Sequence, residues 1–366
     1  MWAPCRISSA DFGVSNSNYA VGTLAYHPER HALFVAGHAH HNAIALFAIP
    51  DELASGTEVS DLTLVEAPLQ DFWAPLAAAP HGNPQGLDKI TGMLYVDGQL
   101  IINAERWYDA PGANTDTTLV VRDADAMASA GVDGFFFMEG AARAAGYMAT
   151  IPPEWQEAFG APYLTGWASN YSIIGRYSVG PSFYAFDPGP ALAACAGDVE
   201  AIATQAFMVF PHGEGTLMGV DALQSQEGSA SALWNFLSRA VYGFIVPGTR
   251  TFMVLGSSGG VESGIGYKIT QDNGNLCGGY CAYSATDVYN YYWLFDLEAI
   301  LAAEAPHEVR PYAYGPWSVP FDAEGRHPII GATFDPASKR LYVALANAGR
   351  TGTYDRPPLM VVFATP

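Results

Sequence analysis

Three of the nine histidines stand together in 37-GHAHHN-42, a cluster suited to metal binding, proton transfer or pairing with an anion at mildly acidic pH. Read as the end of a strand, side-chain alternation puts His38 and His40 on one face and His41 on the other. The plainer alternative is a set of satisfied polar groups. The 13 arginines are few enough to weigh singly. Arg122 in 117-TTLVVRDA-124 and Arg176 in 172-SIIGRYSVGPS-182 lie inside strand-like runs, where a charge needs either a carboxylate partner or a pocket. Tyr108 in 105-ERWYDA-110 and Tyr163 in 161-APYLTGWASN-170 stand at loop entrances. A phenol becomes a useful base or acid only where a neighbouring cation lowers its pKa, and otherwise such aromatics pack.

A second kind of chemistry is suggested by 276-LCGGYC-281. A disulfide between Cys277 and Cys281 would close a very short loop and gain little from chain entropy, so a metal clip is the favoured reading, with the disulfide and free thiols as alternatives. Zinc needs four ligands; His212 in 210-FPHGEG-215 and Asp287 are the expected partners, and the zinc would be structural. Cys5 and Cys195 read as buried single thiols. No G-x-S-x-G elbow, phosphate-binding G-x-x-x-x-G-K-S/T loop or H-E-x-x-H helix is present, which argues against the common serine hydrolases, nucleotide hydrolases and zinc proteases.

Charge narrows the partners. The chain carries 36 acidic and 16 basic residues, a formal charge of -20, and contains no basic run, so nucleic acid and membrane surfaces are not expected partners. An anionic ligand remains compatible if a few cations converge locally, because fields act at short range. Only Lys89, Lys268 and Lys339 are lysines. An acidic, lysine-poor chain suggests export, and a secreted or periplasmic location is expected over a cytosolic one. The opening residues MWAPCRISSADFGV show no charged leader followed by an apolar run.

The elements that must position these residues show in an internal repeat. Residues 22–50 and 331–366 share one order: glycine, a short apolar strand, a proline-containing turn, a strand of the form LxV, a variable loop, and an apolar strand. Weaker copies begin near residues 92, 172 and 242. Repeated antiparallel units with copies at both chain ends point to an all-β β-propeller, the ring closed by N- and C-terminal segments. Five copies are visible, and stretches 51–90, 128–170 and 191–240 have room for more, so six or seven blades are expected, seven favoured over six, in a single domain over 1–366, as a monomer. Short helices are expected at 153–160, 296–304 and 190–207.

The segments GHAHHNAIALFAIP, NTDTTLVVRDA, LTGWASNYSIIGRYSVGPSFYAFDP and GIGYKITQDNGNLCGGYCAYSATDVYNYYWLFD resemble, over most of the chain, a group of bacterial secreted propellers that includes ulvan lyases. The resemblance implies a seven-bladed propeller with structural zinc that cleaves a uronate-containing algal polysaccharide by β-elimination. Such chemistry needs a cation to neutralise the uronate carboxylate, a base for the C5 proton and an acid for the leaving oxygen. An arginine (Arg122 or Arg176), a histidine (His38 or His41) and a tyrosine (Tyr108 or Tyr163) fit those roles. A second catalytic histidine is implied, and His81 is the candidate. Two other readings compete: a non-catalytic glycan binder stacking sugars on Trp107, Trp167 and Tyr289, and a hydrolase using carboxylates near Asp109 and Asp116.

Overall fold

The computed structural model describes residues 2–51, 56–109, 111–167, 178–194, 201–213, 215–218 and 230–364. Five antiparallel sheets stand around one axis. β1 (Trp2–Ile7) is the N-terminal strand. The first blade is β2 (Leu24–His27), β3 (Ala32–Ala36), β4 (Ile44–Ala48) and β6 (Gln70–Trp73), with β5 (Leu64–Val65) lying elsewhere. The second is β7 (Lys89–Val96), β8 (Gln99–Glu105), β9 (Thr118–Val121) and β10 (Val132–Met138), extended by a parallel two-residue strand, β14 (Ala201–Ile202). The third is β11 (Met148–Thr150), β12 (Tyr163–Thr165), β13 (Phe183–Phe186) and β15 (Thr204–Met208). The fourth is β16 (Arg239–Ile245), β17 (Thr251–Gly259), β20 (Val288–Asp296) and β21 (Ala313–Pro316), with the small hairpin β18 (Ile265–Tyr267) and β19 (Tyr280–Ala282) rising from it. The last is β22 (Ile329–Asp335), β23 (Arg340–Leu345) and β24 (Leu359–Ala364).

The molecule is a five-bladed propeller, not a seven-bladed one. The repeat copies at 22–50, 92, 242 and 331–366 each fall in one blade, whereas the copy near residue 172 contributes only β13 among the described residues, and the third blade begins earlier, at β11. The stretches expected to hide further blades instead supply outer strands, connections and part of the third blade. Closure is made by β1, which pairs antiparallel with β24 in the last blade and carries β5 on its other edge. An end-to-end pairing of this kind ties the two chain termini into one sheet and removes an exposed edge.

The innermost strands are β2, β7, β11, β16 and β22, and each packs against the next around the ring. Their sequences are apolar on both faces because one face meets each neighbouring blade; β7 is buried along most of its length. Glycine permits the closest approaches: a Cβ on Gly92 would lie 1.8 Å from the Gly146 carbonyl, and one on Gly331 would lie 1.8 Å from the Gly22 carbonyl. Both glycines sit at register shifts near the start of their strands, where a bulge turns the strand toward the axis. Hydroxyls join the blades there, Thr23 Oγ1 donating to Ile90 O (3.1 Å) and Thr91 Oγ1 to Ala145 O (2.7 Å).

Two expected helices form. α1 (Pro153–Phe159) has proline in its first turn and ends at Gly160 in a left-handed conformation, and α3 (Leu297–Ala302) is capped by Asp296, whose carboxylate accepts from Glu298 N at 2.9 Å. The helix expected over 190–207 is cut short: only α2 (Gly189–Ala193) forms, residues 195–200 lie outside the described residues, and 201–208 is mostly strand. Glutamine, threonine and phenylalanine in 204-TQAFM-208 pair with β13 because the third blade needs an outer strand; tertiary pairing overrides a weak local helix preference.

Candidate functional site

Because alternate strands reverse direction, the propeller has an entry face, where the inner strands begin, and an exit face, where they end. The loops after β3, β8 and β17 all lie on the entry face. That face carries His38, His40, His41, Tyr108, His81, His212 and the two cysteines of 276–281. Arg122, after β9, and Tyr163, at the start of β12, lie on the exit face. The two residues therefore cannot share a site with the histidines.

Their surroundings explain why. Arg122 is a structural clamp: its Nε pairs with Asp133, and its terminal nitrogens donate to Gln99 Oε1 (2.9 Å), to the carbonyls of Ala191 (3.1 Å) and Leu192 (2.7 Å), and to Ala194 O. It fastens α2 to the second blade. Burial, and the nearby charges of Asp97 and Asp187, raise the pKa of Tyr163, the opposite of what a phenolic base requires. Arg176 lies outside the described residues.

The histidine cluster is a turn rather than a strand end, so the expected alternation does not hold. β3 stops at Ala36, His41 N donates to His38 O (2.9 Å), and Asn42 takes a positive φ of 48°. The rings of His38 and His41 stack at 4.6 Å, with His40 5.4 Å from His38. Ser15 Oγ lies 2.9 Å from His41 Nδ1, and the edge of Tyr19 meets His38 at 6.1 Å. Burial, followed by the charges His41 and His40 would carry, lowers the pKa of His38.

Beside this turn, at the axial mouth, opens a cleft of about 500 Å³ lined by His40, Asn42, Asp88, Lys89, Trp107 and Arg239 among others. Lys89 and Arg239 are the first residues of two inner strands, β7 and β16. Lys89 Nζ lies 3.8 Å from Glu105 Oε1, its directly opposite neighbour on β8, and Glu105 is almost wholly buried. Asp88 receives the Trp107 backbone N–H at 2.8 Å, which holds Trp107, nearly half exposed, at the rim. Burial, then the Arg239 charge, push Lys89 down to about 8 against the opposing pull of Glu105 and Asp88. Burial likewise lowers the pKa of Arg239, opposed by Glu105. Among the described residues the buried Arg239 Nε meets no hydrogen-bond acceptor. Lys89 and Arg239 thus stand together at an open cleft, with Glu105 and Asp88 as the nearby carboxylates, and cations at a cleft mouth are the groups that an anionic ligand would meet.

Among the described residues, the side chains expected to hold zinc are otherwise engaged or apart. Cys277 and Cys281 are joined in a disulfide, so neither sulfur is a thiolate. Asp287 is committed to its own loop, accepting from Val261 N (3.1 Å), Glu262 N (3.0 Å), and Ser263 N and Oγ (2.6 and 2.7 Å). Burial alone would raise its pKa, but these bonds outweigh burial and lower it. His212 is exposed, and among the described residues no three His, Cys, Asp or Glu side chains converge on a metal-sized point. The remaining single thiol that is described, Cys5, is buried as expected.

Of the aromatics named for sugar stacking, Trp107 is at the cleft, Trp167 is buried in the core and Tyr289 is partly buried. Asp109 is buried and accepts from Asn114 N at 3.0 Å, closing the turn after Tyr108. Sequence reasoning missed Lys89, Arg239, Glu105 and Asp88. The available signal was positional: Lys89 and Arg239 each directly precede the apolar run that opens a repeat copy. Compared with known proteins, the chain matches no family model and no curated protein, so its function is argued from the residues of this cleft.

Proposed function

We propose that the axial cleft binds the carboxylate of a uronate within an anionic polysaccharide and that the protein breaks the chain by β-elimination, the activity that the resemblance to ulvan lyases implies. The observation that carries this reading is the pair of cations, Arg239 and Lys89, at the floor of one open cleft. Arg239 is the carboxylate neutraliser, since a guanidinium stays charged even when partly desolvated and pairs with both carboxylate oxygens. Neutralising that charge acidifies the C5 proton. His40, on the cleft rim, takes the C5 proton; the C5–H electrons form the C4=C5 double bond, and the bond to the glycosidic oxygen breaks. Lys89 protonates the departing oxygen. Trp107 offers a ring face to a neighbouring sugar.

The test is incubation with ulvan and with other uronate polymers, following the absorbance of newly formed unsaturated uronates. Absorbance growth that Arg239→Ala reduces by at least ~100-fold, about 3 kcal/mol of transition-state stabilisation, supports the reading. Reducing ends without unsaturation would replace elimination by hydrolysis. Binding without any product would leave a glycan-binding propeller.

A further inference from the structure

The connection between β17 and β20 runs from Gly260 to Asp287 and is much longer than a hairpin needs, whereas β16 and β17 are joined by 246–250 alone. Long excursions that are ordered usually serve a function. This one is held firmly although much of it is solvent-exposed. β18 and β19 pair within it, the Cys277–Cys281 disulfide staples it, and Asp287 gathers its base. Asp272 accepts from Ser284 Oγ (2.6 Å) and Ala285 N (2.9 Å). Ordering a backbone costs about 1–2 kcal/mol per residue, and so little apolar burial offsets that cost here that the rigidity calls for another explanation.

The hairpin displays a ladder of aromatic rings. Tyr267 and Tyr280 are directly opposite across β18 and β19, with ring centroids 5.0 Å apart. Phe236, from the connection before β16, lies flat on Tyr280 at 4.5 Å and 3°. The outermost ring, Tyr267, is 50% exposed. Lys268 Nζ stands 5.2 Å from its centroid, and Lys268 is held by its backbone N–H to Gly279 O (2.8 Å). A half-exposed aromatic ring with the ammonium of an exposed lysine over it offers the two groups that recognise a pyranose bearing a negative substituent. The C–H face of such a sugar stacks on the ring, and its carboxylate or sulfate pairs with the ammonium. Two of the three lysines, Lys89 and Lys268, lie on the entry face.

We infer that the disulfide-stapled hairpin is a second glycan-binding subsite, in which Tyr267 and Lys268 hold one anionic sugar of a polymer. Its identification as a subsite of the same polymer rests on the uronate reading of the axial cleft, but its binding does not depend on turnover. The test is native electrophoresis through gels containing polygalacturonate or ulvan, with hydroxyethyl cellulose as the neutral control. The wild-type protein should be retarded by the anionic polymers. Tyr267→Ala and Lys268→Ala should each weaken that retardation about tenfold or more in apparent affinity, with circular dichroism unchanged because both side chains are exposed. Tyr267→Phe should restore binding, since the stacking face remains. A wild-type protein that no anionic polymer retards, or a Tyr267→Ala variant retarded as strongly as wild type, overturns the inference. Absence of unsaturated product with retardation intact overturns the lyase reading alone.

Discussion

Replacing Lys89 by methionine should stabilise the fold while disabling the site. Lys89 is 20% exposed and stands beside the Arg239 guanidinium, with Glu105 as the shared counter-ion. The fall from the ordinary 10.5 to about 8 corresponds to roughly 3 kcal/mol of destabilisation while the ammonium is charged. Removing one member of a buried ion pair ordinarily strands the other. Here the Arg239 charge still acts on Glu105, so the carboxylate keeps a counter-charge and the cation–cation repulsion is relieved. At pH 7 the variant should gain up to about 3 kcal/mol, or about 4 °C in Tm for a chain of this length. The sign follows from linkage. The folded protein holds the Lys89 proton less tightly than the unfolded chain, so the wild type becomes more stable as pH rises from about 8 to the ordinary 10.5, and the advantage of methionine fades over that window. Affinity for anionic saccharides should move the other way, falling in the wild type above pH about 8 as the ammonium is lost. Urea denaturation followed by circular dichroism at several pH values, in parallel with saccharide binding, reads both effects. A loss of 1 kcal/mol or more at pH 7, or a stability difference that does not change with pH, would refute the reasoning.

Arg122→Ala should cost about 3 kcal/mol, because it removes the ion pair with Asp133 and the donors to the α2 carbonyls, yet it should leave saccharide binding at the opposite face unchanged; calorimetric unfolding and the gel assay check the two halves. Mass spectrometry of the intact, denatured protein should gain two hydrogens on reduction, from Cys277 and Cys281. Replacing both by serine should lower stability by at most about 2 kcal/mol, since the closed loop is short; zinc retained through gel filtration and lost on that double replacement would contradict the pairing.

Four of the five blades are legible because a repeated order of strand, turn and strand survives in those copies, and burial on both faces of an inner strand demands apolar runs such as 90-ITGMLYV-96 and 240-AVYGFIV-246; the inner strands of the third blade, β11 and β12, are only three residues each and lie outside the copy near residue 172. The blade number was overestimated because outer strands such as β6 and β15 are short, partly exposed and low in hydrophobic signal. Of the proposed site residues, the entry-face placement of His38, His41 and Tyr108 follows from their position after the second strand of a copy. The exit-face placement of Arg122 and Tyr163 is not legible in the sequence, because a charge or phenol near a strand end carries no mark of which face it joins until strand direction is known. The pairing of Cys277 with Cys281 reflects the local hairpin, in which Cys281 lies opposite Gly266 and the chain doubles back at Cys277.

The all-β class, the repeat unit, two of the helices and the strongly acidic composition can be read along the chain, since each of these depends on sequence neighbours or on residue counts. That five units close the ring, that Arg122 secures the far face, and that Lys89 and Arg239 meet at the axial cleft emerges only on folding. Lys89 and Arg239 are 150 residues apart in the chain and lie on non-adjacent inner strands, β7 and β16. The circular arrangement of blades brings the first residues of those strands to one mouth, and that convergence depends on how many blades complete the circle.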